Sequence, residues 1–272
     1  MEFLNLNSLD KTFLIAEVGI NHNGDLNKAK ELIAAAAEAG YDAVKFQTYK
    51  SETRIPDSNH DIFKILKKCE LKYSDFKTLK EIAEKKKIYF MSTVFHSDDY
   101  DYLKKINTLI IKISSFDLVN YKLINHVSDS DQAIILSTGM ADINEIDKAY
   151  EILKKKSKNF SLLHCVSSYP LKEEDSNLNA INTLRSRYDC AVGYSDHTNG
   201  IKSPLYSVAV GAKIIEKHFK IDEDCVDASV SIGVDLSKKM ITEIRKIEKM
   251  LGTGIKKCLE SEKNSKIFRK KI

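Results

Sequence analysis

Eight short apolar runs, separated by stretches with helical spacing, constrain this chain more than any other feature. They are FLIAEVG (13–19), AVKFQTY (43–49), YFMSTV (89–94) and LIIKIS (109–114), then AIILSTG (133–139), FSLLHCV (160–166), AVGYSDH (191–197) and KIIEKHF (213–219). Each is too short and too continuously apolar for an amphipathic helix, and reads as a strand buried on both faces. Apolar residues recur at helical spacing in LNKAKELIAAAAEAG (26–40), DFKTLKEIAEKKK (75–87), INEIDKAYEILKKK (143–156) and SKKMITEIRKIEKML (237–251). Asp25 is placed to cap the first of these helices and Gly40 to end it. Eight strand–helix pairs in about 250 residues are what a (β/α)8 TIM barrel requires. A doubly wound sheet is the alternative, but eight regular units without a composition shift favour closure. The chain has three prolines and no linker or low-complexity stretch. The barrel is therefore expected to span residues 1–251, with 252–272 as a basic, solvated tail.

Barrels of this kind carry their active sites at the C-terminal ends of the strands. The polar residues there are Glu17, Lys45, Gln47, Ser92, Thr93, Lys112, Ser114, Ser115, Ser137, Thr138, His164, Ser195, Asp196, His197, Glu216 and His218. Nearly every strand ending this way predicts one polar, ionisable mouth. The charge balance, 43 Lys+Arg against 39 Asp+Glu, leaves +4, too even to imply nucleic acid. Five scattered cysteines without a CxxC pair argue against a disulfide framework or a thiolate zinc site. No signal segment and no apolar run near the ~18 residues of a membrane span are visible, so a soluble cytoplasmic protein is expected.

The strand-end residues admit functional and structural readings side by side. His197 and His218 end the seventh and eighth runs; neighbouring parallel strands lie ~4.8 Å apart, so two imidazoles there can share one ion. Two nitrogens plus water and substrate oxygens suit a labile divalent metal (Mn²⁺, Mg²⁺ or Zn²⁺), while the structural reading is a pair of strand caps. Lys45 and Lys112 sit inside apolar strands and must point into the mouth or pair with an acid. They can grip phosphate and carboxylate groups, form a Schiff base, or simply pair internally with Glu17 or Glu216. Ser114-Ser115 and Ser137-Thr138-Gly139 offer hydroxyls and amides to a phosphate, or are turn formers. In EVGINHNGD (17–25), Asn21, His22 and Asn23 either meet a polyhydroxylated ligand or satisfy their own loop; no P-loop follows.

Taken together, IAEVGINHNGDLNKAKELI (15–33), AVKFQTY (43–49), ILSTGM (135–140), LLHCVSSYP (162–170), VGYSDHTNGI (192–201) and IIEKHF (214–219) resemble the sialic acid synthase family. These are the phosphoenolpyruvate-condensing synthases of nonulosonic acids, and the resemblance spans essentially the whole chain. It implies a metal-dependent, aldol-like condensation of phosphoenolpyruvate with the open-chain aldehyde of an N-acylated aminosugar. N-acetylmannosamine and a diacetamido-trideoxyhexose are both possible acceptors. On the family pattern His197 and His218 hold the metal, Mn²⁺ before Mg²⁺ or Zn²⁺. Lys45, Thr93, Lys112, Ser115, Ser137 and Tyr169 match positions at phosphoenolpyruvate, and Glu17 matches an acid near the reacting carbons. Asp227 and Ser231 keep the family's Asp-x-x-x-Ser spacing, and Asn59 matches an asparagine that meets the sugar.

Two departures from the pattern bear on the acceptor. IDEDCVDASVSI (221–232) lacks the usual Gly-Pro and is shorter. GTGIKKCLESEKNSKIFRKKI (252–272) is similar to the segment where family barrels lead towards an antifreeze-like domain, which this chain is expected to lack. In relatives that domain reaches the partner subunit's site with an arginine. The long segment 50–75, with Arg54, Asn59, His60 and a short helix at 62–69, is expected to act as a lid or binding loop instead. A homodimer through outer helix faces is expected over a monomer. The competing readings are a related deoxy-sugar phosphate synthase and a non-catalytic barrel relative that binds a sugar or a partner protein.

Overall fold

The computed structural model describes residues 3–270 and is a closed, all-parallel barrel with its strands in sequence order. The strands are β1 (Phe13–Gly19), β2 (Ala43–Thr48), β3 (Tyr89–Val94), β4 (Ile110–Ile113), β5 (Ala133–Ser137), β6 (Phe160–Cys165), β7 (Ala191–Asp196) and β8 (Ile214–His218). The helices are α1 (Leu26–Ala39), α2 (Ser51–Arg54), α3 (Asp61–Cys69), α4 (Tyr73–Lys85) and α5 (Ser97–Lys105). They continue with α6 (Tyr121–Val127), α7 (Ile143–Lys156), α8 (Ala180–Arg187), α9 (Lys202–Ala209) and α10 (Val234–Leu251). β1 pairs with both β2 and β8, which closes the ring. The expected (β/α)8 TIM barrel is therefore the fold, with α2 and α3 inserted in the long segment after β2.

The closure follows from strands that are apolar on both faces. Outward-facing residues such as Leu14, Ala16, Val44, Ile111 and Leu136 pack with Leu32, Ile33, Leu79, Ile124 and Leu153 of the surrounding helices. Inward-facing Phe13, Ile15, Met91, Ile110, Ile135, Leu163 and Ile214 fill the lower barrel, and Leu6 joins them from a 3₁₀ turn (Leu6–Ser8). The Leu6 amide donates to Asn159 Oδ1 (2.8 Å) just before β6, which seats that turn under the barrel floor. β7 approaches β8 so closely that a Cβ at Gly193 would lie 2.4 Å from the Ile214 carbonyl oxygen.

The cap readings hold in detail. Asp25 Oδ1 accepts from the Asn27 amide at 2.7 Å, and Gly40 ends α1 with φ of 96°, where a side chain would be strained. Residues 252–270 are exposed, with 3₁₀ turns at Glu260–Glu262 and Asn264–Phe268. Lys271 and Ile272, the end of the expected tail, lie outside the described residues. Among the described residues no helix is long and apolar enough to cross a membrane.

Candidate active site

The two-residue period of a strand decides which strand-end residues meet. Glu17, Lys45, Gln47, Thr93, Lys112, Ser114, Ser137, Ser195, Glu216 and His218 face inward and, with His197, Ser115 and Tyr169, line a cavity of about 230 Å³ above the apolar floor. Four residues read from the sequence as part of the mouth turn the other way. Ser92 bonds Thr48 Oγ1 (2.8 Å), Thr138 Oγ1 donates to the Leu163 carbonyl (3.0 Å), and His164 Nε2 donates to the Ser176 carbonyl (2.9 Å). Asp196, the fourth, pairs with Lys217 on the outer face of the sheet.

Four charged side chains meet at the base of the cavity. Lys45 Nζ lies 2.9 Å from Glu17 Oε2 and 3.5 Å from Glu216 Oε2, and Lys112 Nζ lies 3.7 Å from Glu216 Oε1. The internal pairing that was one reading of the lysines is thus present. Hydroxyls complete it: Lys45 donates to Thr93 Oγ1 (3.0 Å), Lys112 to Ser137 Oγ (2.6 Å), and Ser195 to Glu216 Oε1 (2.9 Å). The two carboxyls are driven apart. Burial raises Glu17 from its ordinary 4.5 to about 7, outweighing the attraction of Lys45, and Glu216 adds to the rise. Burial acts the same way on Glu216, but Lys112 and Lys45 overcome it and hold Glu216 below its ordinary value. One carboxylate and one carboxylic acid side by side near neutral pH is the division of labour that proton transfer uses. Burial also pushes the Lys112 ammonium downward, against the pull of Glu216.

Beside this cluster the His197 and His218 rings have centroids 5.4 Å apart, and Tyr169 lies 4.1 Å from the His197 ring. His197 Nδ1 donates to the Val166 carbonyl (2.8 Å), which fixes the ring and leaves Nε2 for another partner. His218 Nδ1 is buried without a hydrogen-bond partner, 3.5 Å from Asp227 Oδ2. Burial holds His218 neutral, well below its ordinary value, with the charge of His197 adding to the effect. Among the described residues no three His, Cys, Asp or Glu side chains form a closed metal site. Two neutral-capable imidazoles, one with an unsatisfied nitrogen, fit an open divalent site completed by water and substrate oxygens.

The remaining residues separate into those at the cavity and those behind it. Ser115 Oγ accepts the Gly139 amide (2.9 Å); a Cβ at Gly139 would lie 2.8 Å from that oxygen and 2.4 Å from Ser167 Oγ. Asp227 reaches the cavity, whereas Ser231 stands behind it, donating to the Asp227 carbonyl (2.7 Å) and accepting from Asn21 Nδ2 (3.0 Å). Asn59 is not brought to the cavity: it is exposed in a turn whose amide donates to Asp57 Oδ1 (3.0 Å). Asn21, His22 and Asn23 satisfy their own surroundings, through the Phe219 carbonyl (2.9 Å), the Gly24 amide (3.1 Å) and the Asp224 carbonyl (2.6 Å) respectively. His60 caps α3 by accepting from the Ile62 amide (3.1 Å).

Arg54 does enter. Its guanidinium donates to Gln47 Oε1 (2.8 Å) and lies 3.8 Å from the Phe95 ring centre. Sequence reasoning gave too little weight to Glu216 and Cys165. Glu216 was visible as the residue two before His218 on one strand face. Cys165 ends β6 with its sulfur 4.0 Å from His197 Nδ1; burial alone would raise the thiol, but His197 turns the net shift downward.

Comparison with known proteins adds an independent observation. Residues 32–256 match the NeuB family. The chain is 39% identical to the N,N'-diacetyllegionaminic acid synthase of Campylobacter jejuni, covering 97% of this chain and 85% of that one. An uncharacterized protein of Methanocaldococcus jannaschii is 45% identical over 94% of this chain and 76% of its own. The crystal structure of the N-acetylneuraminic acid synthetase from Leptospira borgpetersenii, in complex with citrate, superposes with a TM-score of 0.93 at 43% identity, covering 96% and 92% of the two chains.

Proposed function

The chain belongs to the NeuB family, and from that premise we propose that it condenses phosphoenolpyruvate with the open-chain aldehyde of an N-acylated aminosugar, yielding a nonulosonic acid and phosphate. The observation that carries the proposal is the two-ended cavity. One end offers two buried ammonium groups with their hydroxyl partners, and the other offers the imidazole pair.

In this reading the phosphate and carboxylate of phosphoenolpyruvate take the lysine end. Lys45 and Lys112 exchange their internal carboxylate partners for substrate oxygens, while Thr93, Ser115 and Ser137 add neutral donors. Lys112 acts as an ion-pairing group and not as a Schiff base. A divalent ion held by His197 and His218, Mn²⁺ before Mg²⁺ or Zn²⁺, supplies Lewis-acid polarisation of the aldehyde when bound. C3 of the enol forms the new bond to the aldehyde carbon, water adds to C2, and the C2–O bond to phosphate breaks. Glu17, protonated up to about pH 7, stands beside Lys45 to give and recover the proton these steps require. Asp227 faces the acceptor end, Tyr169 covers the His197 ring, and Ser231 holds the Asp227 loop.

The same proposal includes the division into a barrel, 1–251, and a tail, 252–272, a cytoplasmic setting for five free thiols, and a homodimer. Exposed Met250, Leu251, Ile255 and Leu259 give such a dimer an apolar surface to cover.

Incubated with phosphoenolpyruvate, Mn²⁺ and a panel of N-acylated aminosugars, the protein is expected to release phosphate only when an acceptor is present. Release at the same rate without acceptor, or none across the panel, would overturn the proposal. Arg54, half-buried on its aromatic shelf and in no direct ion pair among the described residues, is read as an acceptor-binding residue. Arg54→Ala is expected to raise the acceptor KM on the order of tenfold or more, the size of a lost charged hydrogen bond. The KM of phosphoenolpyruvate should stay near wild type; an equal rise in both would remove Arg54 from the acceptor end.

A further inference from the structure

Among the described residues one ion pair is sealed completely from solvent and lies outside the cavity. Lys217 Nζ is 2.7 Å from Asp196 Oδ2, and both side chains have 0% exposure. Asp196 and Lys217 are register partners on β7 and β8. Each is followed directly by one of the two cavity histidines, His197 and His218. On the inner face of the same two strands, the preceding partners Ser195 and Glu216 are hydrogen-bonded.

The pair is also fully engaged. Asp196 accepts from the Tyr194 hydroxyl (3.1 Å) and from both the amide (3.0 Å) and the hydroxyl (2.9 Å) of Thr198. Lys217 Nζ donates onward to the Thr198 carbonyl. The side chains thus close a ring of bonds around the backbone of His197, whose own carbonyl accepts from the Leu171 amide (2.9 Å).

A dry ion pair is a poor source of stability, because desolvating both charges offsets what their attraction returns; an apolar pair of similar volume usually serves as well or better. What it supplies is direction and distance. The geometry points to Asp196, Lys217 and Thr198 as positioning residues that fix the spacing of the His197 and His218 rings from behind the sheet. The inference rests on the proposed function only for what that spacing serves.

The test is the double variant Asp196→Leu/Lys217→Met, which replaces the pair by an apolar one. Its melting temperature is expected to fall by several degrees, because the Tyr194 hydroxyl and the Thr198 amide and hydroxyl lose their buried acceptor. Its crystal structure should show the ring separation changed from 5.4 Å by about 1 Å, the looseness expected of an unsupported site. The apparent Mn²⁺ Kd by calorimetry should rise roughly tenfold or more, as when groups supporting a metal ligand are lost. Thr198→Val, which removes only the hydroxyl, is the second variant should the first not fold. It should weaken Mn²⁺ binding in the same direction and shift the His197 ring. Unchanged ring separation in a folded variant overturns the inference whatever happens to Mn²⁺. A changed separation with unchanged Mn²⁺ affinity leaves the positioning role standing and removes the metal from the two histidines.

Discussion

Replacing either His197 or His218 by alanine is expected to lower kcat about a thousandfold or more while the barrel stays folded. Lewis-acid stabilisation of a developing alkoxide supplies several kcal/mol, and each 1.4 kcal/mol is about tenfold in rate. Neither ring belongs to the two large apolar clusters that hold the sheet to its helices and fill its interior. The melting temperature of each variant should therefore change by only a few degrees. Mn²⁺ titrated into the His197→Ala/His218→Ala double variant should show no stoichiometric binding. Retained one-to-one binding there would move the metal elsewhere.

The second large effect concerns Glu17. Glu17→Gln is expected to cost about 10²–10⁴ in kcat, the range for removal of a positioned proton donor. The same substitution should stabilise the fold, but only at higher pH. Burial raises Glu17 from 4.5 to about 7. A group whose pKa rises on folding contributes stability that is complete below its unfolded value and is lost as pH climbs through its folded value. Between pH 4.5 and 7 the wild type should thus give up roughly 3 kcal/mol that a neutral glutamine never carries. Lys45 keeps Glu216 at 3.5 Å as a partner in the variant. Melting curves at pH 5 and pH 8 test this: the gain from Glu17→Gln should be small at the first and clear at the second. A gain that does not grow with pH would mean that Glu17 is ionised in the folded protein.

The fold was legible because a parallel barrel writes its strands as uninterrupted apolar runs. FLIAEVG and YFMSTV coincide with β1 and β3, and the other six run over by no more than three residues at their ends. Those overruns are residues that continue a strand's composition just past its ends, such as His197 after β7. The candidate site was legible only as a set. Polar residues at strand ends were collected without asking which face each would take, so Ser92 and Asp196 were counted with Thr93 and His197, their neighbours in sequence, and His164 was collected while Cys165 beside it was not. Alternation along each strand separates them, and it could have been applied from the sequence once the strands were drawn. The loops resisted for another reason. Whether Asn21 or Asn59 meets a ligand depends on which distant backbone groups lie nearby, and Asn21 finds its partners about two hundred residues away, at Phe219 and Ser231. Local spacing carries no record of that.

The apolar plug beneath the barrel, with Leu6 under Phe13 and Ile15, makes the cavity a well with one entrance. Lys112 at its base is 3% exposed, whereas Tyr169 at its rim is 49% exposed. Traffic through such a well has to queue. On the proposed function, the anionic substrate would descend to the lysines before the sugar arrives above it, and phosphate set free at the bottom would leave only past an unoccupied rim. A barrel floor far from any reacting atom would in this way impose the order in which reactants enter and products depart.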